Sequence, residues 1–137
     1  MTSDECLLRE ICRLLNRFDG RERDFLPEMT EEAASAAAVT LAAGRRCVRE
    51  YVDGSRLMEV PFRVRIRAAG GSPARGLRTV SLLETLADWL EKNGAAEAGE
   101  SSGIRSVRRT DGPAKAAEFE SGDMEFVSDF AVRLRQV

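Results

Sequence analysis

Residues 50–67, EYVDGSRLMEVPFRVRIR, constrain the fold more than any other part of the chain. From Val60 onward the alternation has no lapse. Val60, Phe62, Val64, Ile66 and Ala68 fall on one side, and Pro61, Arg63, Arg65 and Arg67 on the other. A period of two is that of a strand with one face buried and one wet. Asp53-Gly54 lies just upstream between two apolar runs, and glycine supplies the positive φ that tight hairpin turns need. The pattern predicts a hairpin over 47–68, with strands at 47–52 and 57–68 around the turn Asp53-Gly54-Ser55. Pro61 has no N–H, so its surroundings are expected to be an edge or a bulge.

Two helices flank this hairpin. Leu7, Leu8, Ile11, Leu14, Leu15 and Phe18 recur at helical spacing, with Ser3 as N-cap, Asp4 and Glu5 in the first turn and Gly20 as the stop. That is a helix over 3–19. Leu77, Val80, Leu83, Leu86, Ala87 and Leu90 make the apolar face of a second helix over 77–92, with Trp89 at its flank and Asn93-Gly94 as its terminator. The small, polar and acidic stretch 95–103 reads as a mobile loop. Between the first helix and the hairpin, Thr30-Glu31-Glu32 resembles a helix start and Val39-Thr40-Leu41 a short strand. Residues 104–137 carry the remaining strands, with Asp111-Gly112-Pro113 as a turn. In the last strand Met124, Phe126, Phe130, Val132 and Leu134 face inward, and Ser128 is the one polar residue among them. The order α-β-β-α-β-β predicts an α+β fold. A mostly antiparallel sheet of four to five strands would carry two main helices on one face. At 137 residues the chain is expected to be a single domain, 1–137.

The charge is unevenly placed. Residues 1–43 hold 5 basic and 9 acidic side chains, 44–78 hold 9 and 3, and 79–137 hold 7 and 11. The segments run −4, +6, −4, which favours a surface with separated positive and negative regions. No apolar run approaches the ~18 residues of a membrane helix. The amino terminus has no basic-then-apolar pattern, so synthesis in the cytoplasm is expected. Cys6, Cys12 and Cys47 are read as reduced, mostly buried small hydrophobes.

The chain has no histidine, which excludes Ser-His-Asp and Cys-His catalysis and leaves zinc few ligands. GGSPARGLRT at 70–79 has a GxxxxG spacing, but Leu77 and Arg78 stand where a phosphate-binding loop needs Lys and Ser or Thr. No cofactor or metal is expected, and no catalytic residue. Glu84, Asp88 and Glu91 lie close together on the polar side of the second helix, as a solvated or subunit-facing acidic stripe. Arg49, Arg63, Arg65 and Arg67 are the other candidate contacts. Like charges across strands repel, so the arginines need compensation. Glu50, Glu59, Glu125 and Asp129 of the same chain, an acidic segment of a neighbouring subunit, or DNA are the alternatives.

The ordered set REYVDGSRLMEVPFRVRIRA, LRTVSLLETLADWLEKNG and EFVSDFAVRLRQV resembles the minor capsid or tail-terminator-like proteins of long-tailed bacteriophages and prophages. The likeness rests on Tyr51, Asp53, Gly54, Phe62, the run Ala87-Asp88-Trp89-Leu90-Glu91 and the closing alternating strand. It implies no catalysis. It implies assembly into a ring, typically of six subunits, that caps the tail tube and joins it to the head. The implied partners are further copies of the chain, tail-tube protein and head-completion proteins, with passing contact with DNA and no membrane. The implied location is the cytoplasm of the bacterial host during assembly, then the virion tail. A reading from a different class is a small polyanion- or nucleic-acid-binding module using the arginine face.

Overall fold

In a computed structural model, which describes residues 4–28, 37–70 and 72–137, the alternating stretch becomes the central strand of a six-stranded sheet. The strands are β1 (Phe25–Pro27), β2 (Ala37–Leu41), β3 (Arg46–Glu50), β4 (Arg56–Ala68), β5 (Ile104–Glu118) and β6 (Met124–Gln136). Two helices, α1 (Asp4–Leu15) and α2 (Pro73–Ala98), pack on one face, and the fold class is α+β as expected. The order across the sheet is β1-β2-β4-β6-β5, and β3 also pairs with β4. Every pairing is antiparallel except β1 with β2. The sheet exceeds the expected four to five strands because β1, three residues ending in a proline, is too short to leave a pattern.

The hairpin is longer than the sequence pattern suggests. β2 pairs with residues 62–66 of β4, and β3 with residues 56–59, both antiparallel and on the same side. They are one strand interrupted by residues 42–45, which bulge out opposite Val60 and Pro61. Pro61 cannot donate there, and its carbonyl accepts the Ala42 N–H at 2.9 Å. The expected bulge is present. The turn itself spans 51–55, because the first strand stops at Glu50 and Val52 stands at the exposed loop tip. Gly54 has φ +89°, and Asp53 Oδ1 accepts both the Ser55 N–H (2.9 Å) and the Ser55 hydroxyl (2.6 Å).

The even-numbered face of β4 is buried, as the alternation requires. Val60, Phe62 and Val64 are almost fully enclosed, in a core shared with Leu83, Leu86 and Leu90 of α2 and with Ile11 and Leu15 of α1. Phe62 stacks on Phe130 of β6 with centroids 5.3 Å apart. Burying each such side chain contributes about 1.5–3 kcal/mol.

Three helix boundaries differ from expectation. α1 stops at Leu15 rather than near Gly20, because Asn16 turns away: its amide donates to the Phe25 carbonyl (3.0 Å) and accepts the Phe25 N–H (2.6 Å). Ser3, the expected N-cap, and the Thr30-Glu31-Glu32 helix start lie outside the described residues. α2 runs from Pro73 to Ala98 rather than 77–92. Ser72 caps it by accepting the Arg75 N–H, and proline suits the first turn. Asn93-Gly94 does not end it. A Cβ on Gly94 would lie 3.3 Å from Val107 of β5, so this glycine permits close packing rather than termination. Gly76, about five turns earlier on the same face, does likewise against Phe126 and Met124. The helix ends at Gly99 (φ +83°) and a 3₁₀ turn, Glu100–Ser102, follows, so 95–103 is mostly helical rather than loop.

Asp111-Gly112-Pro113 is likewise no turn. It lies inside β5, where the pairing with β6 shifts register on both sides of Asp111. β5 is an edge strand, so an unpaired bulge with a positive-φ glycine and a proline is tolerated there. The turn is at 119–123 instead, closed by the Phe119 N–H to the Asp123 carbonyl and the Gly122 N–H to the Phe119 carbonyl, each 2.9 Å.

Candidate functional site

The outer face of the sheet, opposite the helices, collects most of the paired arginines. Register fixes which residues meet. Arg63 of β4 lies directly opposite Asp129 of β6, and its guanidinium grips the carboxylate with two hydrogen bonds of 2.7 and 3.2 Å. That bond and the charge of Asp129 push the Arg63 pKa above its ordinary value. Arg65 pairs with Glu28, just after β1, and with Glu125 at 3.4 Å. Arg67 donates to Asp123 at 3.0 Å and lies over the Phe119 ring, 4.1 Å from its centroid. Asp123 also accepts the Gly70 N–H, and that bond leads those that hold its carboxyl below the ordinary range. The stripe Arg63-Arg65-Arg67 is therefore compensated by carboxylates of its own chain. Arg49 shares this face opposite Leu57, and no carboxylate among the described residues pairs with it.

The positive excess sits two rungs away, around Glu59. Arg46 of β3, Glu59 of β4 and Arg133 of β6 lie in one row across three strands. Glu59 receives Arg46 Nε at 2.7 Å, Arg108 Nη2 at 3.1 Å and Arg133 Nε at 3.3 Å. Its side chain is only 8% exposed. Burial alone would raise its pKa, but the hydrogen bonds from Arg108, Arg46 and Arg133 together hold it below the ordinary carboxylate range. Three guanidiniums on one carboxylate leave the cluster at +2. No local pattern announces this cluster until the register of β5 and β6 against β4 is known. Arg133 and Arg108 then fall on the face of Glu59 by parity.

A third outer-face cluster holds the hairpin loop. Arg135 of β6 donates to Asp53 (2.8 Å) and Ser55 (3.1 Å), and its guanidinium lies 4.9 Å from the centre of the Tyr51 ring. The Ser55 hydroxyl and N–H are the leading causes of a lowered Asp53 pKa.

The acidic candidates lie elsewhere. Glu84, Asp88 and Glu91 are exposed on α2, in the helix layer. Glu91 accepts the Arg109 N–H of β5 at 3.3 Å, which places this acidic flank over the β5 edge. The seven candidates do not form one site, since four lie on the sheet face and three on the helix layer. No group of acidic or cysteine side chains among the described residues converges as a metal centre would require.

The cysteines differ from expectation as well. Cys12 is buried, and burial pushes its thiol up to about 12, but Cys6 and Cys47 are exposed. Cys6 falls on the wet side of an amphipathic helix, and Cys47 on a strand that forms part of no closed core.

No helix among the described residues is long and apolar enough to cross a membrane. No family model matches the chain, and no curated protein matches it.

Proposed function

We propose that this chain is a non-enzymatic structural protein of a phage or prophage tail, of the tail-terminator or minor capsid type. Copies of it would join in a ring that caps the tail tube and meets the head-completion proteins. The observation that carries the reading is the convergence of the separate stretches on which the family resemblance rests. Tyr51 and Asp53 of the hairpin loop both engage Arg135 of the closing strand, and Phe62 stacks on Phe130 of that strand. Leu90, from the Ala87-Asp88-Trp89-Leu90-Glu91 run, is buried in the same core cluster as Phe62 and Phe130. These residues thus act together as one structural signature.

Such a protein works through its surfaces. The excess of arginine around Glu59 and the carboxylates Glu84 and Asp88 lie on opposite layers, which suits a head-to-tail contact between copies. Sedimentation of the purified chain over a range of protein and salt concentrations tests the proposal. The expected result is a concentration-dependent ring that weakens as salt screens the contacts. A monomer under every condition, with no response to added tail-tube protein, overturns it.

A further inference from the structure

The three arginines around Glu59 are arranged as an anion site that their own carboxylate does not fill. They come from three different strands, β3, β5 and β6, and register brings them to one point on β4. Each gives one N–H to Glu59, at 2.7, 3.1 and 3.3 Å. A guanidinium has five N–H donors in a planar fork, so most of the donors in the cluster remain available. The Arg46 and Arg108 side chains are 58% and 51% exposed, and Arg133 35%, while Glu59 beneath them is 8% exposed. The carboxylate thus forms a floor, and the forks rise around it toward solvent.

The charges nearby do not cancel the excess. The next carboxylate along the face, Asp129, is held by two donors of Arg63, and Asp111 lies beside the same arginine. Arg49, on the same face of β3, adds a further positive charge. Like charges held together in this way repel, and a dianion would relieve a +2 cluster. A phosphate group has the matching chemistry: nearly two negative charges at neutral pH and three terminal oxygens, against three arginine forks.

We infer that the cluster Arg46-Arg108-Arg133, based on Glu59, is a binding site for a phosphate group. The matching charge favours a free phosphate or phosphomonoester. The phosphodiester backbone of a nucleic acid, with one charge and two free oxygens per phosphate, is the second source of the same oxyanion, and the experiment separates the two. The site shares its arginines with the head-to-tail contact proposed above, and it lies apart from the Arg63-Arg65-Arg67 stripe whose carboxylates are already in place.

Titration of the full chain with inorganic phosphate at low ionic strength, read through the arginine Nε–H signals in NMR spectra, tests this. Saturable shifts at Arg46, Arg108 and Arg133 with a Kd of about 1 mM or tighter are expected. Arg108→Ala and Arg46→Ala should each weaken binding about tenfold, the cost of one charge-assisted hydrogen bond. Arg108→Lys keeps the charge but not the fork and should weaken it as well, and Arg63→Ala should leave it unchanged. Far-UV circular dichroism confirms that each variant is folded. No saturable shift, or equal binding by wild type and both alanine variants, overturns the site. In a second arm a short duplex oligonucleotide is added to the phosphate-loaded protein. Displacement with a steep salt dependence assigns the site to phosphodiester, and undisturbed phosphate binding assigns it to free phosphate.

Discussion

The ring of Phe18 lies 5.6 Å from that of Trp89, tilted by 50°, and joins the turn after α1 to the flank of α2. Phe18 is buried, whereas Trp89 is partly buried and packs against the same core. Trp89 is the only tryptophan, so its fluorescence reports this contact directly. Phe18→Ala should destabilise the protein by about 3 kcal/mol and red-shift the native emission as water replaces the phenyl ring. Urea unfolding followed by fluorescence measures both. An unchanged native spectrum with an unchanged midpoint would refute the contact.

Glu59 makes the protein sensitive to acid. Its folded pKa is depressed below the unfolded value of about 4.3. The stability it contributes is therefore complete above that value and is lost as pH falls through the folded pKa. Asp53 and Asp123, also depressed, act in the same direction. Glu59→Gln should cost about 1–2 kcal/mol at pH 7 through weakened bonds to three arginines. Its stability should then fall less steeply than wild type below about pH 4. Parallel stability–pH curves for the two proteins would contradict this.

Gly112 and Ser128 hold the bulge in β5 against β6. A Cβ at Gly112 would lie 2.8 Å from the Val127 carbonyl oxygen and 3.0 Å from Ser128 Cα, with φ at +83°. The Ser128 hydroxyl, buried among apolar neighbours, donates to the Asp111 carbonyl at 3.1 Å. Gly112→Ala should cost more than about 1 kcal/mol, and Ser128→Ala about 1 kcal/mol, both by urea denaturation. Tolerance of alanine at Gly112 would mean that the bulge is not built this way.

The thiols offer a test without mutation. Two of the three, Cys6 and Cys47, are exposed, and the third, Cys12, is buried with its thiol pushed up to about 12. Because thiolate is the reactive form, a thiol-specific chromogenic reagent at neutral pH should label two cysteines quickly in the native protein. The third should react only on unfolding. Three fast equivalents would show that the α1 face is open.

What could be read from the sequence was what local periodicity controls. The β4 alternation, the Asp53-Gly54 turn, the amphipathic α1 and the alternation of β6 all appear where expected. Two of the errors share one cause. Glycine and proline have several uses, and their immediate neighbours do not reveal which applies. Gly94 looks like a helix stop but serves a close approach to Val107, and Gly112-Pro113 looks like a turn but forms an edge-strand bulge. The charged face was half legible. Arg63 and its neighbours could be placed on one side, and Asp129 and Glu125 were visible as partners if the last strand were adjacent. The cluster at Glu59 depends on the register of strands more than forty residues away. Asn16, which ends α1 by clasping Phe25, is equally non-local.

The interruption opposite Pro61 has a mechanical consequence. Because β4 changes partner there, from β3 to β2, the long hairpin is fastened by two separate sets of hydrogen bonds rather than one continuous zipper. The outer strand of the loop end, 46–50, can come loose without breaking the rungs that hold Val39 against Val64 in the core. Amide exchange should therefore divide at this proline, with the two halves of one hairpin opening on separate clocks.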